Sequence, residues 1–540
     1  MISHIIEEIV RYHEESKHHY HRYAKSLGYM DWENQPNPFR FYEETRVISL
    51  PLLKTDPPSG YQDLYLRHTN PFLSFSTENI AGFLELSLGL SAWKAVGTSR
   101  WSVRMNPSSG NLHPTEAYVI LPQTNSIEAG VYHYNALMHA LEKRTSITGD
   151  LWKQINSYLR NSGFIIGLSS IFWRESWKYG ERAFRYCNHD VGHALAGISL
   201  SANLFGWKVS YLNGLSDDAI EIILGFDRTT FTAVEEEHPD LLCYVHPHDH
   251  LDFPRTLSDR IIEAFSNLHF QGIPNTLSQK RINWEIINHI ARLTRKPATK
   301  ETTFHFRDRI WICETPCRLT ASQIIRSRRS ATDFDHRGSL NKNQFLAILD
   351  KTLPRKNGAP FDAALMEPAA HLLLFVHNVK DMSSGLYFFF RTDKDVNAIK
   401  SITRPDYLWE RVTDNFPLFL LEPGNFRQKA KMVSCHQDIA GSSAFSLGMI
   451  TRFNDLVSNH PFRYRHLFWE TGMIGQVLYL EAEAHGVRGT GIGCFFDDAV
   501  HDILGFENNQ YQSLYHFTIG QPVEDPRLTT YPPYQHLNGR

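Results

Sequence analysis

Four short polar stretches carry residue types suited to binding or proton transfer. The first is "NPSSGN", Asn106 to Asn111. Pro107, Ser108, Ser109 and Asn111 surround a glycine, so backbone N–H and side-chain donors can close around a flat polar edge or a phosphate. Alone, the same residues read equally well as a loop with a helix cap. The second is "RSRRSATDF", Arg326 to Phe334, where Arg328, Arg329 and Ser330 form a phosphate clamp, since guanidinium groups meet phosphate oxygens two at a time. A basic surface loop is the competing reading. The third, "TIGQPVEDPR", ends at Arg527, a further cation that could reach the same phosphate. The fourth, "WRESWKYGERAFRY", sets Lys178 beside Tyr179, where a lysine or its tyrosine neighbour could take a proton from a substrate; a surface helix with an ordinary lysine fits the same letters.

The elements that position these residues occur twice. Asp190 to Phe226 aligns without a gap with Glu470 to Phe506 at an offset of 280, so that Gly192 meets Gly472 and Asp217-Asp218-Ala219 meets Asp497-Asp498-Ala499. Upstream, "HPTEAYVILP" from His113 meets "EPAAHLLLFV" from Glu367 at 254, and "GVYHY" from Gly130 meets "GLYFF" from Gly385 at 255. Each unit reads as a helix, two strands, a long helix rich in small residues, a glycine turn, an Asp-Asp-Ala helix start and a last strand. The small residues predict close packing against another helix or a flat ligand. Asp217 and Asp497 read as N-caps. The mixed order and local strand pairing predict an α+β fold. The division is a helical leader over 1–56, a first repeat over 57–250, a linker with helices over 251–302, and a second repeat over 303–540.

Composition narrows the function classes. A chain of 540 residues with 42% hydrophobic and 21% charged residues is typical of globular protein, and a net charge of −3 gives no broad attraction to nucleic acid or an anionic membrane. The six cysteines are scattered, and the lone C-x3-C of Cys313 and Cys317 has no second ligand pair at zinc spacing. The leader histidines likewise lack a second ligand set, so no metal is expected. No apolar run reaches membrane-spanning length, and acidic residues interrupt the first apolar stretch, so a cytoplasmic protein is the expectation.

Taken together, the "PSSGN" loop, the "RRS" clamp, the glycine turn Gly491-Ile492-Gly493 and the leader "YHEESKHHYHRYAK … DWENQPNPFRFYEE" resemble the FMN-dependent nitroreductase superfamily, most closely its SagB-type dehydrogenase branch. The likeness covers both repeats. It implies that Arg328, Arg329 and Ser330 hold the phosphate and ribityl chain of FMN, that Pro107, Ser108, Ser109 and Asn111 contact the same flavin from the other half of a dimer, and that Gly491, Ile492 and Gly493 lie beside its ring. Many members carry a further cation where this chain has Thr332. Lys178-Tyr179 resembles the Lys-Tyr pair of azoline dehydrogenases, which oxidise thiazoline or oxazoline rings in peptides; the second repeat has "NHPFRYRHLFWE" instead.

The repeat and the resemblance together predict a pseudo-dimer with one FMN. At the offset of 254 the serine loop falls on Phe361-Asp362-Ala363-Ala364-Leu365, so the second repeat has lost it, while the first offers only Arg67-His68-Thr69 as an echo of the clamp. The mirror site is expected to hold no flavin, because Asp362 would repel the phosphate there by roughly several kcal/mol. The expected reaction is oxidation of an azoline-like peptide or small-molecule substrate. Reduction of a nitro, quinone or flavin compound with NAD(P)H and a non-catalytic subunit of a peptide-modifying complex are the alternatives. The chain is expected as a monomeric pseudo-dimer or a homo-oligomer.

Overall fold

A computed structural model describes residues 2–160, 162–249, 252–301, 304, 306, 314–364 and 366–538. The boundaries drawn at 250/251 and 302/303, and Cys313 of the C-x3-C pair, lie outside the described residues.

The expected α+β architecture is present as two tandem units. Among the described residues each unit builds a seven-stranded sheet with every pairing antiparallel. The first runs Val47–Ser49, Ala140–Ser146, Gly130–Asn135, Thr115–Leu121, Phe164–Ser170, His238–Pro247, Trp207–Tyr211. The second runs Glu410–Arg411, Leu418–Pro423, Gly385–Phe389, Ala370–Val376, Phe445–Arg452, Tyr511–Gly520, Arg488–Ile492 and matches the first in six strands; its edge strand Glu410–Arg411 lies between Gly385–Phe389 and Leu418–Pro423 in the chain, whereas Val47–Ser49 comes from the leader. Central strands such as "TEAYVIL" are buried along their whole length because both faces are covered. Val119 and Leu121 face a core shared with Leu372 and Leu374 of the other unit. Tyr118 and Ile120 face the opposite way, under Ile261 and Phe265 of the helix Asp259–Ser266. The polar linker thus roofs the first sheet.

Between the sheets the two long helices, Ala183–Leu204 and Arg463–Ala484, pack on each other. They cross at the aligned glycines. A Cβ on Gly192 would lie 2.2 Å from the carbonyl oxygen of Trp469, and one on Gly472 would lie 2.2 Å from that of His189. The small-residue pattern therefore serves a helix crossing here, and backbone rather than side chain fills the seam.

Asp217 and Asp497 are not the N-caps expected. Ser216 caps the first of these helices, its Oγ accepting from the N–H of Ala219, and Asp217 is one residue inside. The two carboxylates instead lock the units together reciprocally. Asp217 accepts from Arg465 at 2.6 Å, and Asp497 accepts from Arg185 at 2.9 Å and Arg182 at 3.0 Å. Arg465 and Arg185 are themselves 280 residues apart. Burial of such pairs costs desolvation, which several bonds per carboxylate offset.

Terminal segments tie both units further. The leader helix Ile2–Glu15 ends near His13, whose ring bonds Tyr464 and Gln512 of the second unit. The strand Thr529–Tyr531 pairs with Leu90–Val96 of the first unit, which itself pairs with Ser99–Arg104. That hairpin, absent from the sequence reading, becomes a wall of the site.

Candidate functional site

A cavity of about 480 Å³ opens where the two units meet. Its lining includes the serine loop Pro107–Asn111 from the first unit, and Arg328, Arg329, Ser330 and Gly491–Gly493 from the second. Residues some 220 positions apart in the chain are thereby brought together at one place.

The clamp is held by its own backbone surroundings. The helix Ala321–Ser327 is closed at its start by a Thr320–Gln323 capping box and ends at Arg328. The Arg328 side chain, 4% exposed, crosses to the first unit and donates to the carbonyls of Met105 (Nε, 3.2 Å) and Arg104 (Nη2, 3.1 Å). Arg329 donates to the carbonyl of Ser91 on the hairpin at 3.1 Å. Ser330 Oγ lies 2.9 Å from the hydroxyl of Tyr479, which also accepts the N–H of Gly491 at 2.9 Å. Tyr479, on the second long helix, therefore joins the clamp to the glycine turn.

The serine loop hangs from the first long helix. The carboxylate of Asp190 accepts the Ser109 N–H at 3.1 and 3.3 Å and the Ser109 hydroxyl at 3.2 Å. Ser108 Oγ accepts the N–H of His113 at 2.8 Å, and Asn111 donates to the carbonyl of Ser102 at 2.9 Å. Burial pushes the Asp190 carboxyl up to about 7, although its bonds to Ser108 and Ser109 pull the other way. Gly110 adopts φ +58°, and a Cβ there would lie 2.6 Å from the Tyr179 hydroxyl and 3.2 Å from the Lys178 ammonium. Lys178 and Tyr179, at the end of the helix Phe172–Tyr179, thus back the loop directly. Tyr179 lines the cavity, whereas Lys178 stands beside Gly110 without lining it. Burial, then Glu175 nearby, holds the Tyr179 phenol well above its ordinary range, so it is a neutral donor rather than a phenolate base.

One end of the cavity is basic beyond the expected pair. Lys94 from the hairpin and Arg488 from the strand Arg488–Ile492 join Arg328 and Arg329 there. Burial, then the neighbouring Arg328, lowers Arg329 to about 10, and burial with Arg329 and Arg488 lowers Lys94. Glu524, which also lines the cavity, pairs with Arg488 at 2.6 Å and is the anion this end already holds. Two buried polar atoms of lining residues, Asn106 Oδ1 and His113 Nδ1, have no hydrogen-bond partner among the described residues. Arg527 does not itself line the cavity: its guanidinium, 77% exposed, pairs at 2.8 Å with Asp525, a lining residue two positions away. Lys94 and Arg488, unlike Arg527, do line it. Neither lies in a recognisable motif; the aligned Lys208 at offset 280 was the one available signal for Arg488.

The mirror position is filled rather than repelled. Arg67 binds Asp362 through two bonds, Nη2 to Oδ1 at 2.7 Å and Nε to Oδ2 at 3.1 Å, and Lys208 lies 3.2 Å from Asp362 Oδ2. These cations hold the Asp362 carboxyl well below its usual range despite its burial. The expected charge clash does not exist, because the carboxylate is already neutralised by the chain.

Comparison with known proteins gives three findings. The profile described as the nitroreductase family matches residues 78–234 and 325–521, more than half of the chain. The chain is 32% identical over 130 residues to the trifolitoxin-processing protein TfxB of Rhizobium leguminosarum bv. trifolii, and 25% identical over 122 residues to a protein of Methanocaldococcus jannaschii named as a nitroreductase. Each match takes in 22% of this chain, and they span 35% and 62% of the relatives' own lengths. A crystal structure from Anabaena variabilis, also named as a nitroreductase, superposes with a TM-score of 0.68 at 20% identity, covering 96% of this chain and 99% of that one. This last likeness is one of fold, and it extends over both units.

Proposed function

The chain belongs to the nitroreductase family, and from that premise we propose that it is an FMN-dependent oxidoreductase with one cofactor per chain, bound between the two repeats. The observation that carries this reading is the meeting of Arg328, Arg329 and Ser330 from one repeat with Ser108 and Ser109 from the other around a single cavity.

The residues fit the group. Arg329, Lys94 and Arg488, with Thr332 Oγ1 beside them, would hold the phosphate at the basic end. Ser330, Asn106 and His113 offer polar atoms for the ribityl chain. Gly491, Ile492 and Gly493 would lie beside the ring; a Cβ on Gly491 or Gly493 would come within 2.0 Å of Tyr515 or Tyr186, which line the same cavity. Bound FMN would supply two-electron hydride chemistry. The chain supplies the rest. Asp190 fixes the loop through Ser109. Arg328 and Arg329 both donate to backbone carbonyls, Arg328 to Met105 and Arg104 and Arg329 to Arg326, Arg328 and Ser91, so both shape the site and add positive field. Tyr179 Oη holds a proton at the cavity wall, and Lys178 Nζ lies against the same loop.

Within the family, we place the chain in the SagB-type dehydrogenase branch, oxidising an azoline-like ring in a peptide or small molecule. The likeness to a trifolitoxin-processing protein supports this, as does Tyr179 in the cavity lining with Lys178 behind Gly110. The test is the spectrum of the purified protein followed by anaerobic titration with NADPH. Yellow protein that NADPH bleaches slowly, with oxygen-dependent turnover of an azoline peptide, is expected. Rapid bleaching would make it a reductase, and colourless protein that takes up no added FMN would remove the cofactor.

A further inference from the structure

The mirror site repeats part of the cavity, with Arg67 in the place of Arg328. Lys208 is Arg488 shifted by 280, Ser199 is Tyr479 shifted by 280, and Asp362 is Ser108 shifted by 254. The contacts shift with them. Arg328 lies over the Tyr479 ring at 5.1 Å, and Arg67 Nη2 donates to Ser199 Oγ at 3.0 Å. What differs is the anion. In the mirror site it is the Asp362 carboxylate, 1% exposed, held by Arg67 and Lys208, which are 7% and 5% exposed.

The charges there do not balance on Asp362 alone. Arg255, also 7% exposed, feels the Asp362 charge, and its buried Nη1 has no hydrogen-bond partner among the described residues. Glu301 is the other anion acting on it. Both ring nitrogens of buried His248, beside Arg67 and Lys208, are also unpartnered among the described residues. Three buried cations and an unpartnered imidazole thus stand against one buried carboxylate, Asp362, and the exposed Glu301, a net positive charge that a phosphate dianion in the place of Asp362 would balance.

We infer that the second repeat interface is an oxyanion site of the phosphate class that the chain fills with its own Asp362. The carboxylate stands in for the bound anion, keeps Arg67 and Lys208 paired whatever the cofactor, and closes the site to phosphate-bearing ligands. Removing it should reopen the site. The inference uses the repeat symmetry and the ion pairs, and does not depend on FMN at the other cavity.

The experiment replaces Asp362 with the residue that the first repeat carries at the aligned position, Asp362→Ser, with Asp362→Ala as a second variant. Thermal unfolding of each, and of the parent, is followed in sodium chloride and in inorganic phosphate at equal ionic strength, all with the same flavin content. Loss of one partner from a buried ion pair should lower Tm in chloride by about 5 °C. Phosphate should restore at least half of that in either variant, should move the parent by less than about 1 °C, and should do nothing for Asp362→Ser/Lys208→Met. Recovery of a variant as folded protein only when phosphate is present would support the inference equally. Variants that melt alike in both salts, or a double variant that responds as the single one does, would overturn it. Flavin content, read separately from absorbance, reports on the first cavity and leaves this result untouched.

Discussion

Arg328 of the second repeat donates from Nε to the carbonyl of Met105 in the first, across 3.2 Å and 223 residues of chain. Met105 lies two residues before Pro107, so the clamp of one repeat grips the root of the other's serine loop. Arg328→Ala removes two charge-assisted bonds from buried carbonyls and loosens that root. The loss of about 2 kcal/mol should weaken FMN binding about 30-fold. Ser108→Ala, on the opposite repeat, should weaken it in the same direction. Fluorescence titration of stripped protein with FMN checks both, and a variant that binds as the parent does would contradict the shared site.

The glycine crossing makes a prediction about stability alone. Gly472→Ala sets a methyl 2.2 Å from the carbonyl of His189 and 3.0 Å from the Cα of Gly192, backbone atoms that cannot step aside as a side-chain tip can. A cost of about 3 kcal/mol is expected, seen as a lower urea midpoint. Unchanged stability would mean that the helices do not cross at these residues.

The loop anchor should be sensitive to pH. The Asp190 carboxyl lies near 7 in the folded chain against about 3.9 unfolded. The folded state therefore keeps this proton where the unfolded chain has released it. Stability from this group is full below about pH 4 and is lost as pH rises through 7, with a slope of up to about 1.4 kcal/mol per pH unit. Depressed buried histidines such as His193 and His516, each near 3, act in the opposite sense, gaining stability as pH rises towards their unfolded value of about 6.5. The comparison is thus between proteins: from pH 5 to pH 8, Asp190→Asn should lose less stability, or gain more, than the parent. Parallel pH profiles from urea unfolding would contradict the raised carboxyl.

Tyr179→Phe deletes a hydroxyl beside Gly110 while leaving the ring against Tyr186, whose centroid lies 4.5 Å away. Flavin content should stay at the parent level, and turnover should fall about 10- to 100-fold if the phenol or its lysine neighbour handles the substrate proton. Lys178→Ala should do the same. Full turnover in both variants would remove the pair from the mechanism.

The duplication was readable in the sequence because two physical demands repeat at one spacing. Only glycine fits where the long helices touch, at Gly192 and Gly472, and a buried carboxylate must meet an arginine of the other unit, at Asp217 and Asp497. The cavity residues of the serine loop and the clamp were readable as short polar clusters. The role of the aspartates was misread, because a carboxylate at the first helical position has the same local signature as a cap, and the partner that decides is 248 residues away for Asp217 and 312 for Asp497. Lys94 and Arg488 escaped notice because a single cation on a strand carries no pattern. Arg527 looked equally suitable, but its neighbour Asp525 holds it at the surface. The mirror site shows the same limit: Asp362 was visible as a lost serine, while its pairing with Arg67 and Lys208 is a property of the fold.

The central claim is that two repeats combine to build one cofactor site, the other being closed by Asp362. It is tested most directly by the amount of FMN released on denaturation per mole of purified, fully reconstituted chain. The account predicts one. A value of two would show the mirror site open, and a value of zero would show that the cavity between Arg328 and Ser108 serves some other ligand.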